Sequence, residues 1–219
     1  MTRRTIIGAG AATLAAAGVT DVLGIGDAFA AATAAGPTNG IRYFSRFGVT
    51  EQMIRETLGA ALSKGGDYAD VFFQHRITNS MSLEDGSVNR ASANVELGVG
   101  VRVVKGDQQG YGFTEDITAD SIKTAARTAA AIADGPARTA PAKLNVTKNI
   151  PARYAVKTSW DSVRPEAKLP LLQQMNEKTL AADARIKKVN INFMDQAGAV
   201  LIADSTGRIV EDVQPMTSM

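Results

Sequence analysis

The chain offers few residues able to do chemistry. Its 219 residues contain one histidine, His75, and no cysteine. Disulfides, thiolate zinc sites and cysteine nucleophiles are therefore excluded, and a site needing two imidazoles cannot be built from a single copy. His75 lies in phase with Ala69, Val71, Phe73 and Ile77, so the alternation predicts a core or edge histidine. The G-x-S-x-G of a nucleophile elbow does not occur. Glu84-Asp85 and Glu115-Asp116 stand at predicted strand ends, where acidic pairs read as solvated turn residues. No EF-hand spacing accompanies them. Gly98-Val99-Gly100 suggests a phosphate loop, but the third glycine of G-x-G-x-x-G would fall at Val103 and no helix follows. Gln108-Gln109, Asn190 and Asn192 read as outward strand positions, and Trp160 as a packing anchor. No catalytic, cofactor-binding or metal-ligating residue is assigned.

The elements that position these residues are organised around Asp67–Phe113, which alternates with a period of two. Val95, Leu97, Val99, Val101 and Val103 share one face. Asp85-Gly86, Lys105-Gly106-Asp107 and Gly110 with Gly112 punctuate the run, and Asp-Gly between alternating segments signals a hairpin. An antiparallel meander is predicted, with strands at 69–78, 80–84 paired to 87–93, 95–104 and 109–114. Before it, Thr50 can cap a helix carrying Met53, Ile54, Leu58, Ala61 and Leu62 inward, stopped by Gly65-Gly66. After it, a second helix begins at Thr118 with a small-residue stripe through Ala125, Ala126 and Ala129, ending at Gly135-Pro136. Residues 136–164 read as a connection, followed by a third helix within 166–183 with Leu169, Leu172, Met175 and Leu180 inward. Strands at 188–194, 199–203 and 208–213 close the chain, separated by turns at Ala197-Gly198 and Ser205-Thr206-Gly207. The chain stops at Met219 on what reads as a continuing strand, so a truncated second β region is expected.

The predicted fold class is α+β: an antiparallel meander packed with helices, then a helix and an incomplete second β region. The first thirty residues are set apart from it. Arg3-Arg4 precede a mildly apolar segment from Ile6 to Val19, and Ala28-Phe29-Ala30 supplies a cleavage site. This order resembles a twin-arginine signal, which predicts export to the periplasm without stable membrane insertion. The organisation expected is a signal at 1–30, a linker at 31–48, a first α+β domain at 49–135, a connection at 136–164 and the start of a second region at 165–219. A net charge of +2 with no basic run argues against nucleic acid as a partner.

Gly66–Gln74, Leu83-Glu84-Asp85-Gly86, Gly98–Arg102 and Tyr111-Gly112-Phe113-Thr114 together resemble the N-terminal part of the TldD/PmbA family, the TldD branch more closely. Val189-Asn190-Ile191 and the Asp204–Asp212 segment continue the resemblance, which covers roughly residues 50–215. It implies a zinc metallopeptidase lineage acting on peptides. In that lineage an H-E-x-x-x-H site lies C-terminal to the part matched here, and TldD-type subunits pair with PmbA-type partners. With one histidine, the chain carries none of those ligands. It is expected to contribute assembly and substrate enclosure, to hold no zinc itself, and to be inactive alone. Its expected partner is a TldD- or PmbA-like subunit or a separately encoded C-terminal half. A non-catalytic peptide-binding or assembly module, or a truncated product, is the alternative.

Overall fold

The computed structural model describes residues 41–147 and 156–219. The segment read as a signal at 1–30, most of the predicted linker and part of the predicted connection lie outside the described residues. The chain builds a 3-10 turn at Phe44–Phe47, α1 (Glu51–Ala61), β1 (Tyr68–Glu84), β2 (Ser87–Lys105), β3 (Gln108–Thr114) and α2 (Ala119–Ala130). There follow β4 (Asn145–Val146), a 3-10 turn at Trp160–Ser162, α3 (Pro165–Ala182), β5 (Asn190–Asp204), β6 (Arg208–Val213) and β7 (Met216–Ser218).

The α+β class holds: one seven-stranded sheet runs in the order β3-β2-β1-β5-β6-β4, with β7 also on β5. All pairings are antiparallel except β4 on β6. The meander has three long strands, β1 to β3. β1 and β2 each run through the predicted breaks at Asn79 and Asn94, paired continuously from Tyr68↔Val104 to Ser82↔Arg90 before a bulge. Position 79 is held in register on both sides, by Ala93 of β2 and Asp195 of β5, and this two-sided pairing keeps a polar residue in strand geometry. The predicted turn at Ala197-Gly198 is likewise absent, because β5 is paired along its length with β1. Gly198 instead admits a crossing backbone, since a Cβ there would lie 3.2 Å from the carbonyl oxygen of Gln214. The later strands therefore join the sheet of the meander directly, β5 against β1.

The helices lie on one face. Odd-numbered residues of β1 and β2, including Val71, Phe73, Val99 and Val101, form a core with Ile54 and Leu58 of α1 and Ile122, Ala126 and Ala129 of α2. Thr50 caps α1 as predicted, its hydroxyl accepting from the Met53 N–H, and Thr118, where the second helix is expected to begin, caps α2 by accepting from the Ser121 N–H. The small-residue stripe of α2 meets two glycines of β3. A Cβ at Gly110 would lie 2.2 Å from the Ala129 carbonyl oxygen, and one at Gly112 2.0 Å from that of Ala125. Backbone rests on backbone there, which only glycine permits. A second core gathers Met81, Leu83, Ile191 and Phe193 under Leu172 of α3. Among the described residues, no helix is long and apolar enough to cross a membrane.

Candidate functional site

His75 is where its phase put it, 2 % exposed in the core. Its Nδ1 lies 2.6 Å from the Tyr43 hydroxyl, and Phe47 meets the ring edge-on at 5.1 Å. Burial, reinforced by the nearby Arg46 guanidinium, pushes the imidazole down to about 4, so it is neutral at physiological pH. Burial pushes the Tyr43 phenol well up. The pair is an interior hydrogen bond, closed off from substrate.

The acidic pairs do local structural work. Asp85 takes positive φ in the hairpin turn, and its carboxylate accepts from the Val189 N–H at 3.1 Å, while Glu84 pairs with Lys188. Asp116 accepts from Ser121 at 2.6 Å and Thr118 at 2.9 Å at the start of α2. Those hydrogen bonds hold its carboxyl below the usual range. Gln108, Gln109, Asn190 and Asn192 are exposed. Trp160 packs edge-on against Phe193 at 6.1 Å.

Gly98 and Gly100 point into the sheet face that carries no helix among the described residues. Across the strands, Gly100 is opposed by Phe72 of β1 and Phe113 of β3, and Phe72 in turn by Ile202 of β5. Phe113 is 82 % exposed. A Cβ at Gly100 would meet nothing within 4 Å, so this glycine leaves a hollow between two aromatic rings. The hollow opens into a cleft of about 660 Å³ where β3 stops at Thr114 and β2 runs on, bounded by Gln74, Glu96, Leu97 and Glu115. Glu96 is held by Arg76, whose Nε donates at 2.9 Å. The cleft joins apolar floor to amide and carboxylate rim, a lining that suits binding; its residues include neither imidazole nor thiol.

Two clusters escaped the sequence reading. At one end of the open face Asp70 and Asp204 stand opposed across β1 and β5, each carrying a guanidinium: Arg102 at 2.8 Å and Arg208 at 3.0 Å. Burial pushes the Asp204 carboxyl up, but hydrogen bonds from Thr206 and Arg208 outweigh it and hold it below its ordinary range. Beneath α3, Lys168 donates to Asp195 at 2.6 Å, and Asn79 donates to the other oxygen of that carboxylate at 3.0 Å. Next to them the Asp161 carboxylate is buried, and burial pushes its carboxyl up against the opposing pull of Ser159, the local backbone N–H groups and Lys168. Inward lysines and asparagines leave no mark in an apolar periodicity. The only available signal was negative: α3 shows Lys168 and Asn176 in phase with Leu172.

The profile described as PmbA/TldA metallopeptidase domain 1 matches residues 69–133, and that of the PmbA/TldA metallopeptidase central domain matches residues 158–219. The chain belongs to the PmbA/TldD family. It is 32% identical over 155 residues to a metalloprotease TldD homolog of Haemophilus influenzae, covering 70% of this chain and 32% of that protein. A metalloprotease TldD homolog of Buchnera aphidicola is 27% identical over 156 residues, covering 68% and 31%. The chain thus spans about a third of the length of the curated relatives it matches. Among solved structures, a protein from Thermotoga maritima described as a candidate modulator of a DNA gyrase superposes with a TM-score of 0.56 at 15% identity, covering 77% of this chain and 38% of that one. TldE from Thermococcus kodakarensis superposes with a TM-score of 0.51 at 16% identity, covering 76% and 36%. These similarities establish the PmbA/TldD fold for the sheet and its helices. Family zinc does not fit the residues described: the single imidazole is committed to Tyr43, and no group of three histidine, cysteine or acidic side chains converges among them.

Proposed function

We propose that this PmbA/TldD chain forms the assembly and substrate-enclosing part of a TldD-type metallopeptidase, with zinc and its general base supplied from outside these 219 residues. The observation that carries the reading is the match to the first and central domains of the metallopeptidase, in a chain whose one imidazole is locked in the core. The partner is a TldD- or PmbA-like subunit or a separately encoded zinc-bearing half. The order of Arg3-Arg4, the mildly apolar Ile6–Val19 segment and Ala28-Phe29-Ala30 supports a periplasmic place for the assembly. The cleft over Gly98 and Gly100 supports a second reading, in which the chain holds extended peptides without cleaving them.

The test is purification of the tagged chain from its own organism, with metal analysis and mass spectrometry of what accompanies it. A histidine-bearing partner arriving with zinc and peptidase activity supports the first reading, and a metal-free chain that binds peptides alone supports the second. The chain by itself is expected to hydrolyse no peptide and to retain no stoichiometric zinc, because catalytic zinc takes three protein ligands. Zinc at one per chain, surviving dialysis and lost in His75→Ala, would overturn this.

A further inference from the structure

β2 is a long strand with an unequal pair of neighbours. Along Tyr68–Glu84, β1 covers its whole inner edge, whereas β3 covers only residues 99–105 of the outer edge. Beyond Thr114 the chain turns away into the Asp116 capping cluster of α2. Residues 87–98 are therefore paired on one side only among the described residues, leaving about 40 Å of free strand edge. Proteins normally blunt such edges with lysine, proline or a bulge. This segment, SVNRASANVELG, contains neither lysine nor proline. Its one register shift lies at the far tip, opposite Leu83, so the strand is unbroken from Arg90 onward.

From the order of side chains along this edge, the geometry points to a second copy of the same chain as its occupant, paired antiparallel about a two-fold axis at Ala93. In that register Arg90 of each copy opposes Glu96 of the other. Ser92 opposes Asn94, Ala91 opposes Val95, and Ala93 meets its own image. Opposite charges fall together twice, and small apolar residues meet on the helix side of the sheet, where Val95 is now 37 % exposed. Cross-strand pairs of this kind are the unit of sheet stabilisation, and an interface that repeats on both partners is the isologous contact of a dimer. The pairing needs only residues 90–96, which fit between the bulge at one end and the Thr114 terminus of β3 at the other. Arg90 makes no ion pair among the described residues, while Glu96 is positioned by Arg76. The dimer joins two sheets into one and brings each partner's strand along the rim of the cleft. It goes beyond the peptidase reading and does not depend on it.

The test uses the full chain in sedimentation over a concentration series, with three sets of variants. Wild type is expected to dimerise. Arg90→Glu alone and Glu96→Arg alone each place two like-charged pairs in the interface, and each is expected to weaken dimerisation about tenfold or more. Mixed together, the two variants restore both opposite-charge pairs and are expected to dimerise with each other. Because the chain has no cysteine, Ala93→Cys creates a single thiol per copy at the axis, where strand spacing suits a disulfide. Air oxidation should cross-link that variant, whereas Ser82→Cys, away from the axis, should stay uncross-linked. A monomeric wild type overturns the inference. So does a dimer that is indifferent to both charge variants, or one that Ala93→Cys fails to cross-link.

Discussion

Replacing Lys168 by methionine should cost this fold more than any other conservative change in α3. The lysine is 8 % exposed and Asp195 fully buried, with 2.6 Å between Nζ and carboxylate. Methionine keeps most of the aliphatic stem but removes the charge, leaving Asp195 with the Asn79 amide as its one remaining side-chain donor among the described residues. A buried pair broken on one side typically loses about 3–5 kcal/mol, because the surviving charge has no compensation. For a domain of this size that lowers the melting temperature by roughly 10 °C. Trp160 is the single tryptophan, and Lys168 Nζ lies 5.6 Å from its ring centroid, so its fluorescence reports unfolding of this region. Urea titration of wild type, Lys168→Met, Asp195→Asn and the double variant forms a thermodynamic cycle. The double variant should recover most of the loss, since an uncharged pair has no unpaired ion to bury. A single-variant loss below about 1 kcal/mol, or a double variant equal to the sum of the singles, would refute the reasoning.

Gly112→Ala should destabilise by about 1–3 kcal/mol, since its Cβ would fall 2.0 Å from the Ala125 carbonyl oxygen and push α2 off the sheet. Gly100→Ala, with nothing within 4 Å, should be tolerated, and thermal melts by circular dichroism separate the two. His75 has a folded pKa near 4, below its unfolded value of 6.5, so the unfolded chain binds the extra proton between those values. Its contribution is complete above about pH 7 and is lost as pH falls toward 4, amounting to about 3 kcal/mol. Relative to wild type, His75→Gln should therefore lose its pH-dependent part of that slope, measured by urea midpoints from pH 7 to 4. Replacing Arg3 and Arg4 together by lysine should leave the chain in the cytoplasm if the leader is read by the twin-arginine route, which fractionation and immunoblotting decide.

Much of the fold is legible where the signal is local. Thr50 and Thr118 cap their helices because a hydroxyl beside a helix start has orphan N–H groups within reach. Asp85-Gly86 turns because both residues tolerate positive φ. The alternation of Val99, Val101 and Val103 places them in the core, and the same phase places His75 there. The strand breaks read at Asn79 and at Ala197-Gly198 failed for one reason. Both segments are held extended by partners distant in sequence, Ala93 and Asp195 for the first and β1 for the second.

The amino-acid sequence by itself determined what chemistry the chain can and cannot supply, its α+β class and its family, because composition, period and motif order are properties of the linear chain. Only the tertiary structure decided that β5 lies against β1, that Gly100 opens a hollow between Phe72 and Phe113, and that Lys168 faces Asp195 under α3. Each of these depends on which distant residues come to lie opposite one another. Strand pairing is chosen by the burial of whole faces, and a polar residue turns inward only when the fold brings it a partner.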